Sequence, residues 1–125
     1  MFNGKKLLIV DDSKVERSII RKIAEGLMFE VFESETAIDG ILKAEEIKPN
    51  LIIMDVVMPG INGFQATRQL ALNELLANTP IILCTSKNQP TDKLWGLRQG
   101  AKSYIVKPVN RAVLVEEIKK VMKFT

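Results

Sequence analysis

Four short apolar runs, Leu7 to Val10, Leu51 to Met54, Ile81 to Cys84 and Tyr104 to Val106, constrain the fold of this chain more than any other feature. Each has the length of a strand and is bulky or β-branched throughout, which suits strands buried on both faces of a parallel sheet. A fifth run, Phe29 to Ser34, alternates apolar with polar residues and reads as an edge strand. The segments between them have helical periodicity. Val15, Ile19, Ile20, Ile23 and Leu27 predict one buried stripe, Ile38, Ile41, Leu42 and Ile47 a second, and Leu114, Ile118, Val121 and Met122 a third. Phe64, Thr67, Leu70 and Ala71 predict a helix after the third run, and Thr91 to Arg98 a shorter one with a weaker pattern. Five βα units in this order predict an α/β fold with a parallel sheet, right-handed crossovers and helices on both faces.

The breakers fall at the expected boundaries. Pro49-Asn50 precedes the third strand, Pro59-Gly60 follows it, Pro80 opens the fourth, Gly100 precedes the fifth and Pro108 ends it. Gly40 is the exception inside a helical pattern, where it costs roughly 0.5–1 kcal/mol relative to Ala, and close helix packing is the expected reason. With 125 residues the chain is expected to form one domain over 1–125 with no room for an output domain.

Composition removes several chemistries. The chain has no histidine, so Ser-His and Cys-His nucleophile pairs, histidine metal sites and a phosphohistidine role are all excluded. Its net charge of +3 comes from bases interspersed with acids along the chain, a solvated mixed surface rather than a nucleic-acid footprint. The single cysteine, Cys84, ends an apolar run and is expected to be a buried reduced thiol. No signal peptide and no membrane-spanning run is visible, so a cytoplasmic protein without membrane insertion is expected.

In open α/β sheets, ligands bind outside the carboxyl ends of the strands, near the point where strand order reverses. Asp11 and Asp12 follow the first strand, Asp55 the third, Thr85 and Ser86 the fourth, and Lys107 the fifth. Three carboxylates on one rim repel, since like charges about 4 Å apart cost roughly 4 kcal/mol at an effective dielectric near 20. A hard divalent cation, Mg²⁺, fits this oxygen set, and Lys107 adds a mobile positive charge for an anion that arrives and leaves. Together with a hydroxyl from Thr85 these groups outline a phosphoryl acceptor site with Asp55 as nucleophile.

Each residue also has a plain structural explanation. Asp12 and Ser13 suit an N-cap, Asp55 and Thr85 suit turn caps, lysine usually ends in solvent, and Tyr104 and Trp95 suit core packing. Independent causes of this kind do not gather acids, hydroxyl and lysine on one edge, and that conjunction favours the site.

The set Asp11-Asp12, Asp55, Thr85 and Lys107-Pro108, with Met58-Pro59-Gly60 and Asn62-Gly63, resembles the receiver domain of two-component response regulators over essentially the whole chain. The resemblance implies a doubly wound, flavodoxin-like (CheY-like) sheet of order 2-1-3-4-5. It implies phosphorylation of Asp55 by a histidine kinase or phosphotransfer domain, with Mg²⁺ held by Asp11, Asp12, Asp55 and the Val57 backbone carbonyl. Lys107 then binds the phosphoryl group and its peptide bond to Pro108 is cis, while Thr85 and Tyr104 switch the face made by the fourth helix, fifth strand and fifth helix toward a target protein. Val57 and Lys87 occupy the positions that tune acyl phosphate lifetime, and the apolar Val57 implies slow self-dephosphorylation. Ser86 departs from the family's frequent alanine, which bears on access to Asp55.

The stretches Gly63 to Leu70 and Thr91 to Ala101 resemble single-domain regulators of type IV pilus chemosensory systems, of the PilH kind. The expected role is a signalling switch, not a turnover enzyme, that catalyses only its own phosphorylation and slow dephosphorylation, acting as a monomer or a weak phosphorylation-dependent dimer without nucleic acid. A phosphate sink for a sister regulator is the alternative. A Mg²⁺-dependent phosphohydrolase is the less favoured rival, because Ser13 stands where such an enzyme needs a second acid. A pseudo-receiver that only binds is a third, disfavoured because every acceptor residue is present.

Overall fold

Each of the five apolar runs forms a strand, and each is followed by a helix. The computed structural model describes residues 1–123; Phe124 and Thr125, the end of the expected domain range, lie outside it. The order is β1 (Lys6–Val10), α1 (Lys14–Gly26), β2 (Glu30–Ser34), α2 (Ala37–Ile47), β3 (Leu51–Met54), α3 (Gly63–Leu72), β4 (Ile81–Thr85), α4 (Pro90–Gln99), β5 (Ser103–Val106) and α5 (Arg111–Val121). All strand pairs are parallel, in the order β2-β1-β3-β4-β5. The sequence therefore runs outward to β2 and then back past β1 to β3, so strand order reverses between β1 and β3.

Alternate strand residues divide the core into two layers. Leu7, Ile9, Ile53 and Ile82 face α1 and α5, whose Ile20, Ile23, Leu114 and Ile118 cover them. Leu8, Val10, Ile52 and Leu83 face the other side, under Ala44 of α2 and Phe64 and Leu70 of α3. The central strands β1, β3 and β4 are thus covered twice, which is why they read as unbroken apolar runs.

α5 keeps its predicted stripe, with Leu114 and Ile118 buried and Val121 and Met122 packed on them, and α3 buries Phe64, Thr67 and Leu70 as expected, but α1 and α2 depart in part from theirs. On α1, Val15 and Ile19 are exposed, Val15 to 69%, while Ile20, Ile23, Ala24 and Arg17 turn inward. On α2, Ile38 and Leu42 are exposed and the small residues Ala37, Gly40 and Ala44 face the sheet. The reason is close approach: a Cβ at Gly40 would lie 2.7 Å from Cγ2 of Val10, so α2 sits too near β1 to admit a larger side chain. The expected packing role of Gly40 is therefore observed. α4 buries only Gly96, which accounts for its weak periodicity, and leaves Leu94, Trp95 and Leu97 exposed.

Arg17 is buried at 7% exposure because its guanidinium is fully engaged. Its Nε donates to Glu33 Oε1 at 2.8 Å and its Nη1 to the Asp11 carbonyl at 2.6 Å. Arg21 donates to the other oxygen of Glu33 at 2.5 Å, so two arginines of α1 clasp one carboxylate of the edge strand. Partial burial pushes the Glu33 carboxyl up, but the hydrogen bonds and charges of Arg21 and Arg17 together hold it below the usual carboxylate range. A folded-state value below the unfolded one gives a contribution present above the unfolded value and lost as pH falls through the folded one. Glu33→Gln is expected to cost about 1–2 kcal/mol near neutral pH by leaving the buried Arg17 with only the exposed Glu35 as a charged partner. In urea denaturation the gap from wild type should close as pH falls from about 6 to about 3; a gap that stays constant would show that the carboxylate charge is not what stabilises β2 against α1.

Candidate functional site

The sheet register sets the site. Val10 of β1 lies beside Met54 of β3, so the next residues, Asp11 and Asp55, leave the sheet side by side, with Asp55 N–H donating to the Val10 carbonyl at 2.9 Å. On the far side, β5 ends at Val106 beside Thr85 of β4, and Lys107 N–H donates to the Thr85 carbonyl at 2.8 Å. Lys107 therefore starts two strands from Asp55, and its long side chain spans the distance across the end of β4.

Its ammonium donates to Asp11 Oδ2 at 2.7 Å and to Asp55 Oδ2 at 3.2 Å. Both carboxylates are buried, Asp55 at 8% exposure, whereas Asp12 is exposed. Asp11, Asp12 and Asp55 each offer an oxygen within 4.8 Å of the others, a cluster that can hold a metal ion. All of these donors are hard carboxylate oxygens, and a single ammonium leaves their combined charge only partly compensated, so the set fits a divalent cation.

Burial pushes the Lys107 amine down, but the hydrogen bond to Asp11 and the charges of Asp55 and Asp11 outweigh it and hold the amine above its ordinary value. The stabilisation from the ammonium is thus fully present below the ordinary lysine value and is lost only as pH rises through the higher folded one. Cys84, one residue before Thr85, is pushed up to about 12, chiefly by burial with Lys107 opposing, and is a buried neutral thiol as expected.

Turn geometry fixes both buried acids. Asp11 Oδ1 accepts from Ser13 N–H at 2.9 Å, and Asp55 Oδ1 accepts from Val56 N–H at 2.7 Å and Val57 N–H at 3.4 Å. Ser13, not Asp12, caps α1, its hydroxyl accepting from Glu16 N–H at 3.2 Å. Gly63 begins α3 directly behind the Asp55 peptide: a Cβ there would stand 2.1 Å from the Asp55 carbonyl oxygen, and Gly63 N–H donates to the Val56 carbonyl at 2.9 Å. No residue but glycine fits against this backbone.

The other predicted residues lie around this centre. Thr85 is fully buried and its hydroxyl accepts from Lys87 N–H at 3.4 Å. Tyr104 is buried against Leu83 and Phe64 in the core, and its hydroxyl donates to the Lys87 carbonyl at 2.9 Å, tying β5 to the connection between β4 and α4. Burial, with Asp92 and Asp55 adding to it, pushes the Tyr104 phenol up to about 12. Lys87 pairs loosely with Asp92 at 3.7 Å. Val57 is 56% exposed, and Ser86 is exposed beside Thr85. The Lys107-Pro108 peptide is cis. One neighbour is absent from the sequence reading: Glu16, whose Oε2 lies 3.9 Å from Lys107 Nζ.

If the Lys107 charge is what offsets the buried acids, Lys107→Ala should destabilise the cation-free protein by about 2–4 kcal/mol in urea denaturation. A divalent cation at millimolar concentration should recover much of that loss, because a ligand that binds only the folded state stabilises it by mass action. A loss that the cation does not reduce would mean that the acids do not share a site.

Comparison with known proteins agrees with this geometry. The family model for the response regulator receiver domain matches residues 7–119. Protein PilH of Pseudomonas aeruginosa is 44% identical over 117 residues, covering 94% of this chain and 97% of that relative. Chemotaxis protein CheY of Listeria monocytogenes is 33% identical over 119 residues, covering 94% of this chain and 98% of that one. A crystal structure of a putative response regulator from Chloroflexus aurantiacus superposes with a TM-score of 0.91 at 26% identity, over 95% of this chain and 98% of that one.

Proposed function

The chain belongs to the response regulator receiver family, and from that membership we propose that Asp55 accepts a phosphoryl group from a histidine kinase or phosphotransfer domain in a Mg²⁺-dependent reaction. The observation that carries this reading is the Lys107 ammonium bridging Asp11 and Asp55 at the rim where strand order reverses. Asp11, Asp12, Asp55 and the Val57 carbonyl are the groups to hold Mg²⁺, which when bound neutralises the carboxylates and the oxygens of the transferring group.

The chain's own residues supply the remaining steps. Asp55 Oδ1 is engaged by backbone N–H groups, so Oδ2 is the oxygen free to attack once Lys107 shifts from it. Lys107 then follows the charge to the phosphoryl oxygens. Thr85 Oγ1 accepts from Lys87 N–H, and its hydroxyl proton is the one to donate to a phosphoryl oxygen. Movement of Thr85 disturbs Lys87, whose carbonyl holds Tyr104, and this links the acceptor to the face of α4, β5 and α5. Leu94, Trp95, Val106 and Val113 are exposed on these elements and suit a protein target.

The likeness to PilH supports a chemosensory or type IV pilus pathway, and that to CheY supports signalling through protein contact. Among the described residues no helix is long and apolar enough to cross a membrane.

Incubation with Mg²⁺ and acetyl phosphate followed by intact-mass measurement tests the acceptor. Wild type should gain one phosphoryl group, and Asp55→Asn should gain none; equal labelling of the two would exclude Asp55. The exposed side chain of Val57 beside Asp55 has no group to orient a hydrolytic water. The phosphorylated protein should therefore lose its label slowly, and Val57→Asn should shorten the half-life at least about threefold by supplying such a group. An unchanged half-life for Val57→Asn would remove Val57 as the determinant.

A further inference from the structure

Ser13-Lys14-Val15-Glu16 has the form of a capping box, in which the Glu16 carboxylate would return to the Ser13 N–H. Only half of the box forms. Ser13 Oγ accepts from Glu16 N–H, but the Ser13 N–H is taken by Asp11 Oδ1 at 2.9 Å. The Glu16 carboxylate is released from its capping role and lies instead 3.9 Å from Lys107 Nζ. It is the most exposed of the three carboxylates on this ammonium, at 29% against 2% for Asp11 and 9% for Asp55. Arg17, the next residue, does not neutralise it, because its guanidinium is committed to Glu33, Glu35 and the Asp11 carbonyl.

We propose that Glu16 is a specificity-determining residue of the acceptor site, which holds Lys107 and places negative charge at its open side so that small free phosphodonors are disfavoured relative to a docked protein donor. The inference rests on the acceptor reading of Asp55. With acetyl phosphate, the P–O bond to acetate breaks, its electron pair leaves on acetate, and the new P–O bond forms to Asp55 with no proton transferred. To reach that geometry the anionic donor must draw Lys107 away from Glu16 and approach against the Glu16 charge. A protein donor meets the same charge, but contacts outside the site contribute to its binding, so the charge is a smaller share of the total.

The test follows acyl phosphate formation by intact mass in the full chain at saturating Mg²⁺, with acetyl phosphate varied. Glu16→Gln is expected to lower the apparent KM for acetyl phosphate about three- to tenfold with the maximal rate nearly unchanged. The effect should shrink as ionic strength rises from about 0.02 M to about 0.5 M, where the screening length falls to a few ångströms. Glu16→Asp keeps the charge on α1 but withdraws it from Lys107, and its KM should fall between the other two. An unchanged or raised KM in Glu16→Gln, a fall equal at both ionic strengths, or a lowered maximal rate with constant KM would overturn the proposal. Labelling of Asp55→Asn would instead refute the acceptor reading, so the two failures are separable.

Discussion

The ammonium of Lys107 between two buried carboxylates is the interaction on which the site depends. Asp11 and Asp55 lie side by side because β1 and β3 are neighbours in register, and without a cation their proximity would oppose the pairing of those strands. Lys107 supplies that cation from β5, on the other side of β4, so the charge compensation also ties one end of the sheet to its centre. A long, flexible side chain is needed to span that gap, and the compact ammonium at its end meets both carboxylates at once. The same contact therefore offsets the charge of both buried acids and braces the strand ends against one another.

Close backbone packing holds the acids where the lysine can reach them. α3 begins hard against the Asp55 peptide at Gly63, and α2 lies on Val10 at Gly40, one residue before Asp11. Arg17 braces the Asp11 carbonyl from the opposite layer. Helices on both faces of the sheet thus converge on the ends of β1 and β3, where the buried Asp11 and Asp55 leave the sheet.

Much of this was legible in the sequence. The central strands were readable because double coverage demands unbroken apolar runs, and the rim residues because a parallel sheet delivers every strand end to one edge. The faces of α1 and α2 were less legible, and for α2 the reason is physical. Ile38 and Leu42 have the hydrophobicity of core residues, yet α2 approaches the sheet so closely at Gly40 that Ala37, Gly40 and Ala44 line the contact and these two larger side chains turn to solvent. Arg17 is invisible to an apolar pattern because its burial depends on Glu33, sixteen positions away on β2. Gly63 reads as part of a turn, although its place is set by the carbonyl of a residue in a different element. Glu16 was concealed by a local motif: a serine followed three residues later by glutamate signals a capping box, and only the competing bond from Ser13 to Asp11 shows that the carboxylate is free.

The plain and the functional explanations of the acids turn out to be compatible, because a carboxylate has two oxygens. In Asp11 and in Asp55 alike, Oδ1 accepts backbone N–H groups of the following turn while Oδ2 faces Lys107. The turn bonds orient the side chain and leave one oxygen with a fixed direction toward the rim. An asparagine could keep the turn through its carbonyl oxygen but would present an amide donor to the ammonium. Serine or threonine could cap the turn but would leave nothing to reach Lys107. Turn capping alone therefore tolerates several residue types at these positions, and the demand for a second, negatively charged oxygen is what narrows the choice to aspartate.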